Sequence, residues 1–316
     1  MGIFCLTVHA PYACRHSGAC CTAGWQIPVE PDVRRTIEIR GIRSRSDTLS
    51  PLFVAGDPSS RDGAVIAARH DNGACTFFEP DHGRVCAIHR EAGPRWLPSA
   101  CRHFPRVVLQ DRRGTFITLS HFCPTAAALL CEPMELAVIE APGSLLPAGA
   151  IEGLDATAVL PPLLRPGLLT DLDGYTAWER AGIEVLNRQD LRPEDALDVI
   201  ARATRDVCGW RPGTATMSEQ VGSSFAAHAD RGPSPGLLHV SDRPARGFVA
   251  AHLFANWVAY QGTGLEAVVE YLRDALALLR REAVACGSFV EGARAADLRL
   301  RHRESPRRAE LSPGPS

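Results

Sequence analysis

The segment CRHSGACCTAGW, residues 14–25, puts Cys14, Cys20 and Cys21 within eight positions and makes two of them neighbours. Adjacent cysteines rarely bond to each other, because a disulfide needs a Cα separation and torsion that one trans peptide step does not supply. A vicinal pair suits a metal site, or two nearby metals, and thiolates are the soft donors that zinc and iron–sulfur clusters select. Three later segments continue the pattern: CTFFEPDHGRVCAIH (75–89), PSACRHFPR (98–106) and SHFCP (120–124). The candidate metal ligands are therefore Cys14, Cys20, Cys21, Cys75, Cys86, Cys101 and Cys123.

Nearby are His16, His89, His103 and His121. Seven thiols already exceed one four-ligand site, so these histidines are expected behind the ligands or at the surface. Cys123 precedes a proline, which predicts a helix start whose free N–H groups favour a negatively charged thiolate cluster. Arg15, Arg102 and Arg106 offer further compensation. Cys5, Cys131, Cys208 and Cys286 are expected to pack as small apolar residues.

Compartment bears on this choice. The start, MGIFCLTVHAPYAC, lacks a basic opening and a long apolar run, so no signal peptide is expected, and the protein is read as cytoplasmic. Thiols stay reduced there, which favours metal binding or catalysis over disulfides. Disulfides would require export, and a metal-free nucleophile would require a base, for which Cys101 and His103 are only neighbours along the chain. No stretch approaches the length of a bilayer span. The 316-residue chain is 45% hydrophobic and 22% charged, enough for a sizeable core. Its net charge is −2, and basic residues concentrate only at the extreme C-terminus, which speaks against a nucleic-acid partner. All 34 basic residues are arginine.

The expected organisation is a cysteine-cluster region over 1–140, a Pro/Gly/Ala-rich connector over 141–168, a helical region over 169–298 and a disordered tail over 299–316. Residues 105–120 read as a β-hairpin turning before Gly114. Pro31–Asp32 and Pro124 mark two short helix starts. Leu265, Val268, Val269, Leu272, Leu276 and Leu279 form one apolar helical stripe. Helices are also expected around Trp178–Leu186, from Pro193, and through Val249, Leu253, Trp257 and Tyr260. Residues 211–236 read as a long polar loop. The fold class is thus mainly α, with a loop-rich, cysteine-rich N-terminal metal-binding region containing a small β-hairpin.

The order CxxxxxCC–GW, C…C-x-I, C-R-x-F-P-R and L-S-x-x-C-P, followed by an alanine-rich helix, resembles the flagellin lysine N-methylase family. It also resembles that family's broader relatives, the cysteine-cluster proteins of the zinc- or iron-chelating kind. The likeness runs from Cys14 to about Leu130, and more weakly through FVAAHLFANWVAY and YLRDALALLRR. It implies a bound metal, an iron–sulfur cluster of [4Fe–4S] type or zinc, with the seven cysteines as ligands. It also implies methyl transfer from S-adenosylmethionine to a protein lysine. Ser17 departs from the relatives' C-x-x-C-G-x-C-C pattern, so one thiolate of that pattern is missing.

The residues themselves lend methyl transfer little support. No glycine-rich loop follows a strand as in a doubly wound nucleotide-binding fold, and there is no CxxxCxxC triplet. A methyl-donor site would have to be built differently; Trp25, Trp96 and Glu79 could line it, although packing and surface charge are their simpler roles. No catalytic or donor-binding residue is assigned, and the protein partner or substrate is unidentified. The competing readings are a non-catalytic, metal-stapled interaction module and a metal-delivery protein.

Overall fold

The computed structural model describes residues 2–56, 64–67, 73–81, 83–229, 239 and 242–301. Its contacts divide the chain into two compact units, residues 1–12, 107–145 and 153–316 in one and residues 13–106 and 146–152 in the other.

The first unit combines a sheet with long helices. Its sheet has five strands in the order Val138–Glu140, Ile3–Leu6, Gly114–Leu119, Arg106–Asp111, Leu154–Asp155. Ile3–Leu6 runs parallel to Gly114–Leu119 and antiparallel to Val138–Glu140. The expected hairpin is present, turning at Arg112–Arg113, but it forms the middle of a mixed sheet in the helix-bearing unit. With helix over about 48% of the chain beside that sheet, "mainly α" understates the strand content. The added strands come from residues remote in sequence, so no local pattern announced them. Gly114 is required at the turn: its φ is +150°, and a Cβ there would lie 2.6 Å from the Gly2 carbonyl oxygen.

Helices Leu172–Asn187, Pro193–Cys208, Met217–Ala229, Asp242–Leu253, Leu265–Cys286 and Phe289–Arg301 supply most of the remaining core. Asp171 caps the first, accepting a hydrogen bond from Gly174 N–H at 2.6 Å, as short polar side chains do at helix starts. Every stripe residue of Leu265–Cys286 is buried, as its spacing predicted. Buried Trp178 donates its indole N–H to Thr204 Oγ1 at 2.9 Å. Arg113, at the hairpin turn, pairs with Asp111 at 2.9 Å and Glu179 at 3.2 Å, tying sheet to helix.

Two helical expectations change. The polar stretch 211–236 contains the helix Met217–Ala229; residues 230–236 lie outside the described residues. Thr216 and Glu219 form a reciprocal capping box, with Thr216 N–H donating to Glu219 at 2.9 Å and Glu219 N–H to Thr216 at 3.2 Å. The apolar series Val249–Tyr260 is not one helix. It ends at Leu253, Ala255 adopts φ +54°, and Asn256 caps a separate short turn, Trp257–Gln261. Arg299 and Arg301 belong to the last helix, and residues 302–316 lie outside the described residues.

The second unit is built from shorter pieces. Its longest described helix is Pro31–Ile39, nine residues with Pro31 in the first turn, where a missing N–H costs nothing. Val29, Val33, Ile37, Ile42, Ile66, Phe77, Ala87 and Ile88 make a small apolar core. Around that core are two-stranded ladders, Phe53–Ala55 with Ala64–Ile66 and Phe78–Glu79 with Val85–Cys86.

Candidate metal centre

Six of the seven candidate ligands lie in this second unit, and five of them act on one another. Cys20 and Cys21 have sulfurs 3.9 Å apart. Their segment is fastened to the next by a 2.7 Å hydrogen bond from Cys75 N–H to the Cys21 carbonyl. Cys75 opens a tight turn, its carbonyl accepting from Phe78 N–H at 3.0 Å. Phe78 pairs across its ladder with Cys86, which folds the second segment back on itself and brings its two cysteines to one end of that ladder. Cys101 lies in the short helix Ser99–His103, whose Ser99 N–H is anchored on Glu30 at 2.8 Å.

The loop before the vicinal pair has its own fixings. Gly18 has φ +74°, and a Cβ there would sit 2.5 Å from the Phe78 ring, so only glycine allows the close approach. Arg84 donates to the Ser17 carbonyl at 2.6 and 3.1 Å and lies over the same ring at 5.9 Å. Ser17 thus contributes its carbonyl to loop packing where the relatives' pattern has a thiolate.

Neighbouring cysteines oppose one another's ionisation. A hydrogen bond from Cys21 draws the Cys20 thiol down to about 7, whereas the same contact, burial and the neighbouring Cys20, Cys75 and Cys86 push Cys21 far up. Burial lifts Cys86 to about 11, with Cys20 and Glu79 adding to the effect. Cys101 is raised well above the usual thiol range by burial and by Cys86, Cys75 and Cys20. Ionising several of these thiols together is disfavoured, because like charges at this range oppose one another. A soft metal ion neutralises those charges and releases the thiol protons on binding. The donor set therefore fits zinc or iron.

Cys14 lies in the same unit and is exposed. Cys123 belongs to the helix-bearing unit, buried at the N-cap of Pro124–Leu129 with its sulfur 3.9 Å from the Tyr12 hydroxyl. Cys5 and Cys208 pack in the interior as expected. Cys131 and Cys286 do not: both are exposed, Cys131 just beyond the Pro124–Leu129 helix and Cys286 as the last residue of Leu265–Cys286. Helix ends project into solvent, and cysteine is small enough to sit there without an apolar patch.

The histidines divide similarly. His16 and His89 pack ring against ring at a tilt, with centroids 5.1 Å apart, in the cysteine unit. His103 is buried and structural, contacting the Ser99 and Ala150 carbonyls at 2.9 and 3.0 Å. His121 is neither at the surface nor in the cysteine unit; it is wholly buried in the helix-bearing unit. Trp25 packs edge-on against Phe104, and Trp96 packs on the small apolar core. Glu79 is buried and paired with Arg90 at 2.9 Å, and it also accepts from Arg45 N–H at 2.8 Å. It is a charge held inside the unit, where a surface role had been the simpler expectation.

Residues 13–124 match the model of the CxxCxxCC family, described as a putative zinc- or iron-chelating domain. That span contains all seven candidate cysteines and supports a metal-binding cysteine-cluster protein. Comparison with curated proteins and with solved structures found no match. Among the described residues, no helix is long and apolar enough to cross a membrane.

Proposed function

We propose that residues 13–106 hold a thiolate-ligated iron or zinc centre, with Cys20, Cys21, Cys75, Cys86 and Cys101 as its core donors. The convergence of these thiols, whose thiolate forms would oppose one another, carries the reading. They are gathered from three stretches of chain remote in sequence, and their ionisation calls for a cation. Cys14, in the same unit, is the further candidate donor there. The finer assignment is an iron–sulfur cluster of [4Fe–4S] type, which four cysteines satisfy. The likeness to the methylase family supports methyl transfer from S-adenosylmethionine to a protein lysine as the activity. A non-catalytic role, in which the metal staples a protein-contact module, is favoured by the short elements and small core of this unit.

Anaerobic purification followed by visible spectroscopy and analysis for iron, sulfide and zinc tests the centre. Equivalent iron and sulfide with broad visible absorption is expected. Colourless protein with zinc bound through sulfur would overturn the cluster, and the lack of any sulfur-bound metal would overturn the centre itself. Cys20→Ala and Cys101→Ala should lose the metal while Cys208→Ala keeps it. Calorimetry with S-adenosylmethionine tests the activity: no heat of binding, with or without a lysine-bearing protein substrate, eliminates the methylase reading.

A further inference from the structure

The helix-bearing unit encloses a second group of ligand-type side chains. His121 follows the strand Gly114–Leu119, His252 lies near the end of helix Asp242–Leu253, and Asp297 lies in helix Phe289–Arg301. All three are buried, and one donor atom from each lies within 4.8 Å of the other two. Asp297 Oδ1 is 3.8 Å from His121 Nδ1 and 3.3 Å from His252 Nε2. Neither nitrogen has a hydrogen-bond partner of acceptable geometry, although a buried polar atom ordinarily has one.

The opposite ring nitrogens are engaged. His121 Nε2 lies 3.2 Å from His9 Nε2, and His252 Nδ1 lies 2.7 Å from the Tyr271 hydroxyl. One proton assignment accounts for the chain of contacts around His9. The Thr118 hydroxyl donates to the Ala251 carbonyl at 3.1 Å, so its oxygen accepts from His9 Nδ1–H at 3.5 Å. His9 Nε2 then accepts from His121 Nε2–H, which leaves a lone pair on His121 Nδ1 directed toward Asp297.

Asp297 is oriented for the same point. Its Oδ2 accepts from the Ser120 hydroxyl at 2.5 Å and from Phe122 N–H at 3.3 Å. Its Oδ1 accepts from Arg301 Nε–H at 3.0 Å, which leaves one lone pair on that oxygen. With His252 Nδ1–H donating to the Tyr271 hydroxyl oxygen, His252 Nε2 also carries a lone pair, and donor lone pairs converging in a dry interior repel one another unless a cation lies between them.

We propose that His121, His252 and Asp297 form a second metal site, selective for a divalent first-row ion such as zinc. Tetrahedral ligands at about 2.0–2.1 Å from zinc stand roughly 3.3 Å apart, close to the two separations to Asp297. His9 and Tyr271 act as positioning residues, holding each ligand ring by its remote nitrogen, the usual support for metal-bound imidazole. The competing arrangement is metal-free, with Arg301 alone compensating Asp297. This site shares no residue with the cysteine centre.

The decisive experiment is imidazole-nitrogen NMR of the whole, histidine-labelled chain during zinc titration, with sulfur-bound metal followed separately by its absorption. Two imidazoles should take metal-bound shifts in slow exchange, one through Nδ1 and the other through Nε2. Asp297→Asn should lose one equivalent of zinc without changing the sulfur-bound metal, and His9→Gln should weaken binding about 10–100-fold. If saturating zinc produces no such pair of shifts in the unsubstituted chain, the Arg301–Asp297 arrangement stands and the site is overturned. Because that reading needs no variant, a substitution that fails to fold does not blunt it. Loss of the sulfur-bound signal alone would count against the cysteine centre and leave this site intact.

Discussion

The helix-bearing unit and the cysteine-bearing unit reach stability by different routes. The first contains a 22-residue helix whose buried stripe packs among other long helices, so apolar burial dominates. The second has a nine-residue helix as its longest described one, two-stranded ladders and a small buried apolar cluster. Short elements of that kind offer less room for apolar packing than long helices do. Its charged and polar fixings, Arg84 on Ser17, Arg90 on Glu79 and Cys75 on Cys21, bring cysteines together whose thiolate forms would oppose one another. A metal bound there would neutralise those charges and add to the unit's stability. The same chain thus shows apolar packing doing in one unit what coordination would do in the other.

Metal removal should break the contrast most severely. Structural zinc contributes on the order of 10 kcal/mol to folding in small thiolate domains. Chelation, or Cys101→Ala, should make residues 13–106 protease-sensitive and fast in hydrogen exchange while Leu265–Cys286 stays protected. Equal loss of protection in both units would abolish the distinction. Leu272→Ala probes the other side: deleting a fully buried stripe residue should cost about 2–5 kcal/mol in denaturant unfolding, with sulfur-bound metal unchanged.

Glu79 provides a smaller test inside the cysteine unit. Burial would raise its pKa, but the Arg45 amide and Arg90 outweigh that and hold it below its ordinary 4.5. A carboxylate depressed in the folded state stabilises above its unfolded pKa, and that stability drains away as pH falls below it. Stability measured from pH 6 down to 3 should therefore decline, and Glu79→Gln should flatten the decline while costing about 1–3 kcal/mol near neutrality. The smallest effect concerns the missed helix. Thr216→Ala removes one half of the capping box and should lower stability by about 1 kcal/mol, seen as faster amide exchange at the start of Met217–Ala229.

Much of the helix content was legible because its signals are local. The Leu265–Leu279 spacing, Pro193 followed by acids and Pro31–Asp32 each describe one element without reference to any other. The Thr216–Glu219 box is equally local, in its threonine-x-x-glutamate spacing, but it sits among polar residues with no apolar stripe to announce the helix it opens. The break at Ala255 was harder to read, since the apolar spacing continues through a backbone that leaves the helix. The exposure of Cys131 and Cys286 likewise depends on where helices stop.

The sequence by itself determined the chemistry on offer: thiols in four segments, a vicinal pair that disfavours a mutual disulfide, and helices written in their own periodicity. Tertiary structure alone decided which of those groups meet. It gathered five cysteines, joined the hairpin to strands remote in sequence, and enclosed His121, His252 and Asp297 from three separate elements. Helical periodicity is a property of residues three and four apart, so a sequence displays it. Convergence of side chains more than a hundred residues apart depends on packing and long-range pairing, for which a linear pattern carries no local mark.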